Sequence, residues 1–268
     1  MICGSKNIMR TLQNDQFLYL SSEDSPCNPS TARFDLVMIE NSVKSLNSVT
    51  QPLHSTLIID TDNYMINFLC KHLINPLVLH TSPTFREAKY KIENHIIDNV
   101  VMEVFTLEES ALEALNFIYD MQINYPGIRL TVFTFTRNSY LLQVLRSFHY
   151  INIVSKYEPM SELNHAVHAC WLDEAFYSQY INDLMAEIEQ PDSFDDIEWT
   201  VLTELAHSTP THDIAKIINK RYHTLFYYIK KINKKLHLST KNEHIKMLKA
   251  INSNPLKSAS ISYRDRFN

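Results

Sequence analysis

From Thr56 to Cys170 the chain alternates five times between a short β-branched run and a stretch with helical spacing of apolar residues. Leu57-Ile58-Ile59 ends at Asp60-Thr61-Asp62. Ile66, Leu69, Cys70 and Leu73 then repeat at the interval of one helix face, and Pro76 stops that helix. Pro76-Leu77-Val78-Leu79 is the second strand, and Thr84 to Asn94 is a polar helix opened by Ser82-Pro83-Thr84. Asp98 to Glu103 is the third strand, followed by a helix from Leu107 to Ile123. Leu130 to Thr134 is the fourth strand, and Leu141, Leu145 and Phe148 stripe the helix after it. Ile151 to Ser155 is the fifth strand, and Leu163, Ala166, Val167 and Cys170 stripe the fifth helix. Strands separated by helices pair in parallel, with the helices packed on both faces of one sheet. The expected fold is therefore an α/β, flavodoxin-like, doubly wound parallel sheet of five strands.

In such a sheet the functional edge lies beyond the carboxyl ends of the strands. Asp60, Glu103, Thr134 and Lys156 fall there, with Asp62 close behind. Over Thr56 to Trp171 the pattern resembles the response-regulator receiver domain. The resemblance implies an acidic pair for Mg²⁺ after the first strand and a phosphoacceptor Asp after the third. It implies a Thr or Ser after the fourth strand and a Lys after the fifth. Two departures stand out. Thr61 holds the second acidic position, unless Asp62 substitutes for it, and Glu103 holds the phosphoacceptor position. A cation of this kind needs a cluster of hard oxygens, and the longer Glu103 misplaces the nucleophile. The expectation is a degenerate pocket with no metal and no phosphorylation, Glu103 approaching Lys156 in its place. A charge pair with no further role is the bland alternative.

Only two glycines occur, Gly4 and Gly127. That excludes a glycine-rich phosphate loop, a dinucleotide fingerprint and a nucleophile elbow. No spacing of Ser, His and Asp supports a nucleophilic triad. His165, His168 and Cys170 share too few ligands for zinc. No catalytic role, metal or cofactor is expected. No apolar run reaches the ~20 residues of a membrane span. The first residues, MICGSKNIMRTLQNDQ, lack the apolar core of a signal peptide. The four scattered cysteines read as reduced thiols. A cytoplasmic protein is expected.

Charge is divided sharply. Residues 1–192 hold 12 Lys and Arg against 23 Asp and Glu, and the remainder 13 against 7. A basic module on an acidic body is the footprint of a polyanion binder. Its helices are readable. Ser193 is the expected cap of a helix from Phe194 to Ala206, with Ile197, Val201, Leu202 and Leu205 inward. Thr211 opens a second, His212 to Asn219. Asn219-Lys220-Arg221-Tyr222 is a turn. A third runs from His223 to Leu236, with Leu225, Ile229, Ile232 and Leu236 inward. Asn242 to Ile251 is the fourth.

Two helices, a tight turn and a lysine-rich third helix read as a helix-turn-helix. The run LTELAHSTPTHDIAKIINKRYHTLFYYIKKINKKLHL resembles the LuxR/NarL-type domain, with Ile214-Ala215, Thr224-Leu225 and Lys235-Leu236 at its recognisable positions. Ser208 stands where that family usually has glycine. The resemblance implies Phe226, Tyr227 and Lys230 against bases, and Thr224, Lys231 and Lys235 nearer phosphates. Lys234, Lys220 and Arg221 complete the expected contact set. An aromatic Phe226 cannot make a bidentate base contact, but it can touch a thymine methyl.

The expected division is an N-terminal extension over 1–55, a receiver-like domain over 56–172 and a helical linker and hinge over 173–193. The helix-turn-helix domain takes 194–252 and a tail 253–268. In the extension, Phe34 to Ile39 could add an edge strand. In the linker, Tyr180 to Ile188 reads as a helix capped by Ser178. The whole resembles a bacterial LuxR/NarL-type transcriptional regulator and, loosely, auxiliary regulators of the RcsA kind. It implies double-stranded DNA as partner and a homodimer or heterodimer with a related regulator. The dimer surface would involve the receiver's fourth and fifth helices. Localisation would be cytoplasmic, on the nucleoid when DNA-bound. Two alternatives stay open: a phosphorylation-controlled response regulator, and a protein-binding adaptor or antiactivator that does not bind DNA.

Overall fold

The computed structural model describes residues 54–73, 76–169 and 175–257. The expected Phe34–Ile39 strand, Cys170 of the fifth stripe and residues 258–268 of the tail lie outside them. Five strands and the helices between them appear in the expected order. They are β1 (His54–Ile59), α1 (Asn63–His72), β2 (Pro76–Ser82), α2 (Phe85–Asn94) and β3 (Asn99–Met102). Then come α3 (Ala111–Asn124), β4 (Arg129–Thr134), α4 (Ser139–Arg146), β5 (Ile151–Ser155) and α5 (Met160–Ala169). The strands pair in parallel in the order β2-β1-β3-β4-β5.

Strand residues alternate between two cores, as a period of two requires. Ile58, Val101, Phe133 and Val154 pack with Leu69 of α1 and Leu163 and Ala166 of α5. Leu57, Ile59, Val100, Met102, Val132 and Ile153 face the other way, onto α2, α3 and α4. Each fully buried Leu or Ile contributes on the order of 2 kcal/mol by leaving water.

The expected start of α3 at Leu107 moves to Ala111. Ser110 and Glu113 form a reciprocal capping box there, and the Ser110 amide donates to Glu113 Oε2 at 2.7 Å. Residues 106–109 are diverted into a turn by the Thr106 hydroxyl, which accepts from the Glu109 amide at 2.9 Å.

After α5 the chain returns to the sheet. Ile153 donates to the Phe176 carbonyl and accepts from the Ser178 amide, so Tyr177 bridges in parallel to the outer edge of β5. Asn152 fixes this return: its amide nitrogen donates to Ala166 O of α5 at 2.7 Å, and its oxygen accepts from the Phe176 amide at 2.8 Å. The linker helix α6 spans only Gln179–Leu184, not Tyr180 to Ile188. Ser178 precedes it as expected, but its hydroxyl accepts from the Ser155 amide instead of closing the helix. Ile181 and Met185 sink into the core.

Four further helices follow: α7 (Asp196–Ala206), α8 (Thr211–Ile217), α9 (Tyr222–Lys235) and α10 (Lys241–Ile251). The cap of α7 is Asp195, not Ser193. In a capping box the Asp195 amide donates to Glu198 Oε2 and the Glu198 amide donates to Asp195 Oδ1, each at 2.8 Å. Phe194 is thereby released from the helix and packs near Trp199. Thr240 and Glu243 cap α10 in the same way.

This helical module is joined to the sheet domain through one continuous apolar core, which contains Leu115 and Leu145 as well as Trp199, Met247 and Ile251. The Trp199 ring stacks on Tyr119 of α3 at 5.0 Å and meets Phe148 edge-on at 5.2 Å. The Tyr119 hydroxyl donates to Asp196 at 2.7 Å. Beyond α10, the Asn254 amide donates to the carbonyls of Thr106 and Glu109, so residues 253–254 clasp the turn before α3. No described helix is long and apolar enough to cross a membrane.

Candidate functional site

Two places in the fold collect the chemistry-bearing residues. The first lies at the carboxyl ends of the strands. Asp60 follows β1, Glu103 follows β3, Thr134 ends β4 and Lys156 follows β5. The Lys156 ammonium reaches Asp60 Oδ2 at 2.6 Å and Glu103 Oε2 at 2.9 Å. Glu103 Oε1 accepts from the Thr134 hydroxyl at 2.6 Å and from the Val104 amide at 2.7 Å. Both carboxylate oxygens of Glu103 are thus engaged, and the residue is 2% exposed. Burial pushes the Glu103 carboxyl above its usual value, against the pull of Lys156 and the Thr134 hydroxyl. Burial pulls the Lys156 ammonium down, but Glu103 and Asp60 pull it up further, so its net direction is upward.

Asp62 does not join this group. Its carboxylate accepts from the Tyr64 amide and caps α1, while its own amide donates to Asp60 Oδ1. Asp60 and Glu103 both face a lysine ammonium, and the remaining acid points elsewhere. The residues therefore do not fit a divalent cation, which requires several hard oxygens converging on one point.

The second place is α9. Tyr222, His223, Phe226, Tyr227, Lys230 and Lys234 are exposed and fall on one face of the helix. Leu225, Ile232 and Leu236 form the buried face opposite. Asn219 has a left-handed backbone (φ 51°), which lets the α8–α9 turn close without glycine, and the Lys220 amide donates to Ala215 O. Lys220 and Arg221 are exposed in that turn. Ser208, at the usual glycine position, is left-handed too (φ 63°).

The four α9 lysines of the expected contact set, Lys230 against bases, Lys231 and Lys235 nearer phosphates and Lys234 beside them, divide into two groups. Lys230 and Lys234 project to solvent from the exposed face. Lys231 and Lys235 are turned toward α7. Lys235 Nζ meets Glu198 Oε2 at 2.7 Å and the Ser193 carbonyl at 2.5 Å. Lys231 Nζ meets Glu198 Oε1 at 2.8 Å and Asp195 Oδ2 at 3.1 Å. Glu198 is fully buried, so these two lysines neutralise a charge the fold has enclosed. Thr224 lies at the flank of the exposed face and is half-buried.

No protein-family model matches the chain, and no curated protein matches it. Solved structures do. It is similar to RcsB as seen in two RcsB dimers bound to two parallel DNAs, with a TM-score of 0.50 and 17% identity over 75% of this chain and 99% of that one. It is similar also to the two-component response regulator RcsB in complex with DNA, with a TM-score of 0.50 and 16% identity over the same shares. The chain has the RcsB fold.

Within that shared fold, the expectation that α4 lies on a dimer surface needs correction. No residue of α4 is exposed, and Leu141 to Leu145 are all buried. One side of α4 packs on the sheet and the other is covered by α10. The β5 edge is occupied by Tyr177 of the same chain. Of the two helices named, α5 keeps exposed positions, at Ser161 and His165. Sequence reasoning also missed Glu198, Trp199 and Gln143, which tie α9 and α7 into the rest of the protein. Of these only Glu198 left a local signal, the D-x-x-E spacing of a capping box.

Proposed function

We propose that this chain is a DNA-binding transcriptional regulator that acts as a dimer in the cytoplasm, and whose receiver-like domain works without phosphorylation. The observation that carries the reading is the exposed face of α9. It presents Lys230 and Lys234 without ion-pair partners among the described residues, beyond a turn bearing Lys220 and Arg221, on a fold also seen in RcsB bound to DNA. Lysines so placed neutralise phosphates and release counterions, which makes affinity fall with salt. Phe226 and Tyr227 lie toward the base edges, and Thr224 at the groove wall.

The closed pocket supports the second half. Glu103 has both oxygens engaged and little solvent access, so it is a poor nucleophile toward a phosphodonor. Its carboxylate on Lys156 takes the place of a regulated charge with a fixed one. Pairing of two copies, or of this chain with a related regulator, then sets two α9 helices about one DNA turn apart.

Fluorescence anisotropy of the full chain on labelled duplex DNA, across a salt series, tests the first half. Binding is expected to weaken steeply with salt, and the Lys230→Ala/Lys234→Ala variant to lose about two units of the logarithmic salt slope. Binding without salt dependence, or with the slope unchanged in the variant, would overturn the assignment. Incubation with a small-molecule phosphodonor tests the second half: no adduct is expected, and a labelled Glu103 would refute it.

A further inference from the structure

The first two turns of α9, Tyr222 to Ile229, contain none of the Arg, Lys, Asn and Gln side chains that make bidentate contacts to guanine or adenine. Their exposed face is aromatic instead. Tyr222 is 49% exposed, Phe226 49% and Tyr227 61%. Tyr222 and Phe226 meet edge-to-face at 5.2 Å, and Tyr227 packs likewise on Tyr228 at 5.6 Å. The rings therefore brace one another at the surface with their remaining area open to solvent. The Tyr222 hydroxyl lies 3.4 Å from the Thr211 hydroxyl of α8, which fixes the first ring against the preceding helix.

Positive charge frames this patch along the helix axis, with Lys220 and Arg221 before it and Lys230 and Lys234 after it. Such a frame suits a polyanion that presents an apolar strip between two rows of charge. In the major groove only thymine supplies an apolar group among the four bases, its C5 methyl.

We infer, resting on the DNA-binding reading above, that the Phe226–Tyr227 surface reads thymine methyl groups, so that the preferred duplex is one with thymines clustered under the first two turns of α9. Sequence preference is then set by apolar contact, while the framing cations supply affinity that does not depend on sequence. The Tyr227 hydroxyl and His223 can each add a single hydrogen bond, but neither can specify a base by a two-point contact.

The test removes the methyl groups and nothing else. The full chain selects duplexes from a random library, and the selected sequences are made again with deoxyuridine in place of thymidine. Selected duplexes are expected to carry thymine clusters. The uridine versions should bind about tenfold more weakly, the scale of two buried methyl groups. In a Phe226→Ala/Tyr227→Ala variant, whose folding is checked by circular dichroism, the thymidine-to-uridine ratio should fall to near one while salt-dependent binding persists. Equal affinity for thymidine and uridine duplexes, with a steep salt slope, overturns this inference and leaves the DNA-binding reading standing. A chain that binds no duplex at all removes both, and marks the aromatic face as a protein contact.

Discussion

The side-chain amide of Gln143 on α4 donates to the carbonyl of Leu236, the residue that closes α9, at 2.7 Å in a buried setting. A helix end leaves carbonyls without intrahelical partners. Here one of them is satisfied by the sheet domain. The helix proposed to meet DNA is thus terminated by a residue 93 positions away, and the two parts of the protein share a hydrogen bond as well as a core.

Replacing Gln143 by Ala removes that donor and leaves a buried carbonyl unsatisfied. The expected cost is about 1–3 kcal/mol. Urea unfolding followed by Trp199 fluorescence should show a lower midpoint. In the native chain a single transition is expected, because Trp199 sits between Tyr119 and Phe148 of the sheet domain. Two separate transitions there would mean that the shared core contributes little cooperativity.

The lysines of α9 should separate by function. Lys235→Ala removes one of two cations from the buried Glu198 carboxylate, at a cost of up to about 3 kcal/mol. It should lower stability with little change in salt slope among molecules that remain folded. Lys230→Ala and Lys234→Ala alter exposed side chains and should leave stability within about 0.5 kcal/mol. Thermal unfolding and anisotropy on the same three variants check both halves. A Lys235 variant as stable as the parent would show that Lys231 alone compensates Glu198.

Glu103 should make stability depend on pH in a direction opposite to that of an ordinary paired carboxylate. Burial raises its folded value above the usual 4.5, despite Lys156 and Thr134. Below 4.5 the group is protonated whether folded or unfolded, and burial of the charge costs nothing. As pH climbs from there through the raised folded value, the folded state takes on that cost while the unfolded chain does not. Compared with Glu103→Gln, which stays neutral and leaves Lys156 its Asp60 partner, the parent should lose relative stability as pH rises above 4.5. Urea midpoints for both proteins at several pH values measure this. A constant difference would mean that the surroundings compensate the charge fully.

How much of this was legible in the sequence follows from the range of the interactions. β5 runs from Ile151 to Ser155 as read, and the four pocket residues Asp60, Glu103, Thr134 and Lys156 meet, because β-branched runs and strand ends are local signals. The buried face of α9 was legible for the same reason, since Leu225, Ile232 and Leu236 recur at helical spacing. The enclosure of α4 was not. Its Leu141 and Leu145 stripe marks one face toward the sheet, but nothing in Gln143 or Val144 announces that α10 covers the other. Lys231 and Lys235 look like Lys230 and Lys234 in sequence, and only the burial of Glu198 on α7 separates them. Trp199 was passed over because it lies off the stripe that packs on α9, on the side of α7 that meets Tyr119.

The scarcity of glycine leaves stability to be gained. Tyr150, Ser208, Asn219 and His237 all adopt a left-handed backbone with φ between 48° and 63°. For a residue with a Cβ this costs roughly 1–2 kcal/mol, and Asn alone of these four types relieves it readily. Gly127, by contrast, has no positive φ, and a Cβ placed there meets nothing within 4 Å. Its freedom is spent where it is not needed. Ser208→Gly and His237→Gly relieve the strain, offset in part by the greater entropy of the unfolded chain. Each should raise stability by up to about 1 kcal/mol. Gly127→Ala should raise it by roughly 0.4–1 kcal/mol through the unfolded state alone. The three sites lie in separate turns, and Ser208 and His237 have different backbone partners, so their effects should add in a triple variant, read as the shift of the urea midpoint at unchanged slope. A loss of stability on Ser208→Gly would mean that the serine side chain contributes more to the end of α7 than its backbone strain removes.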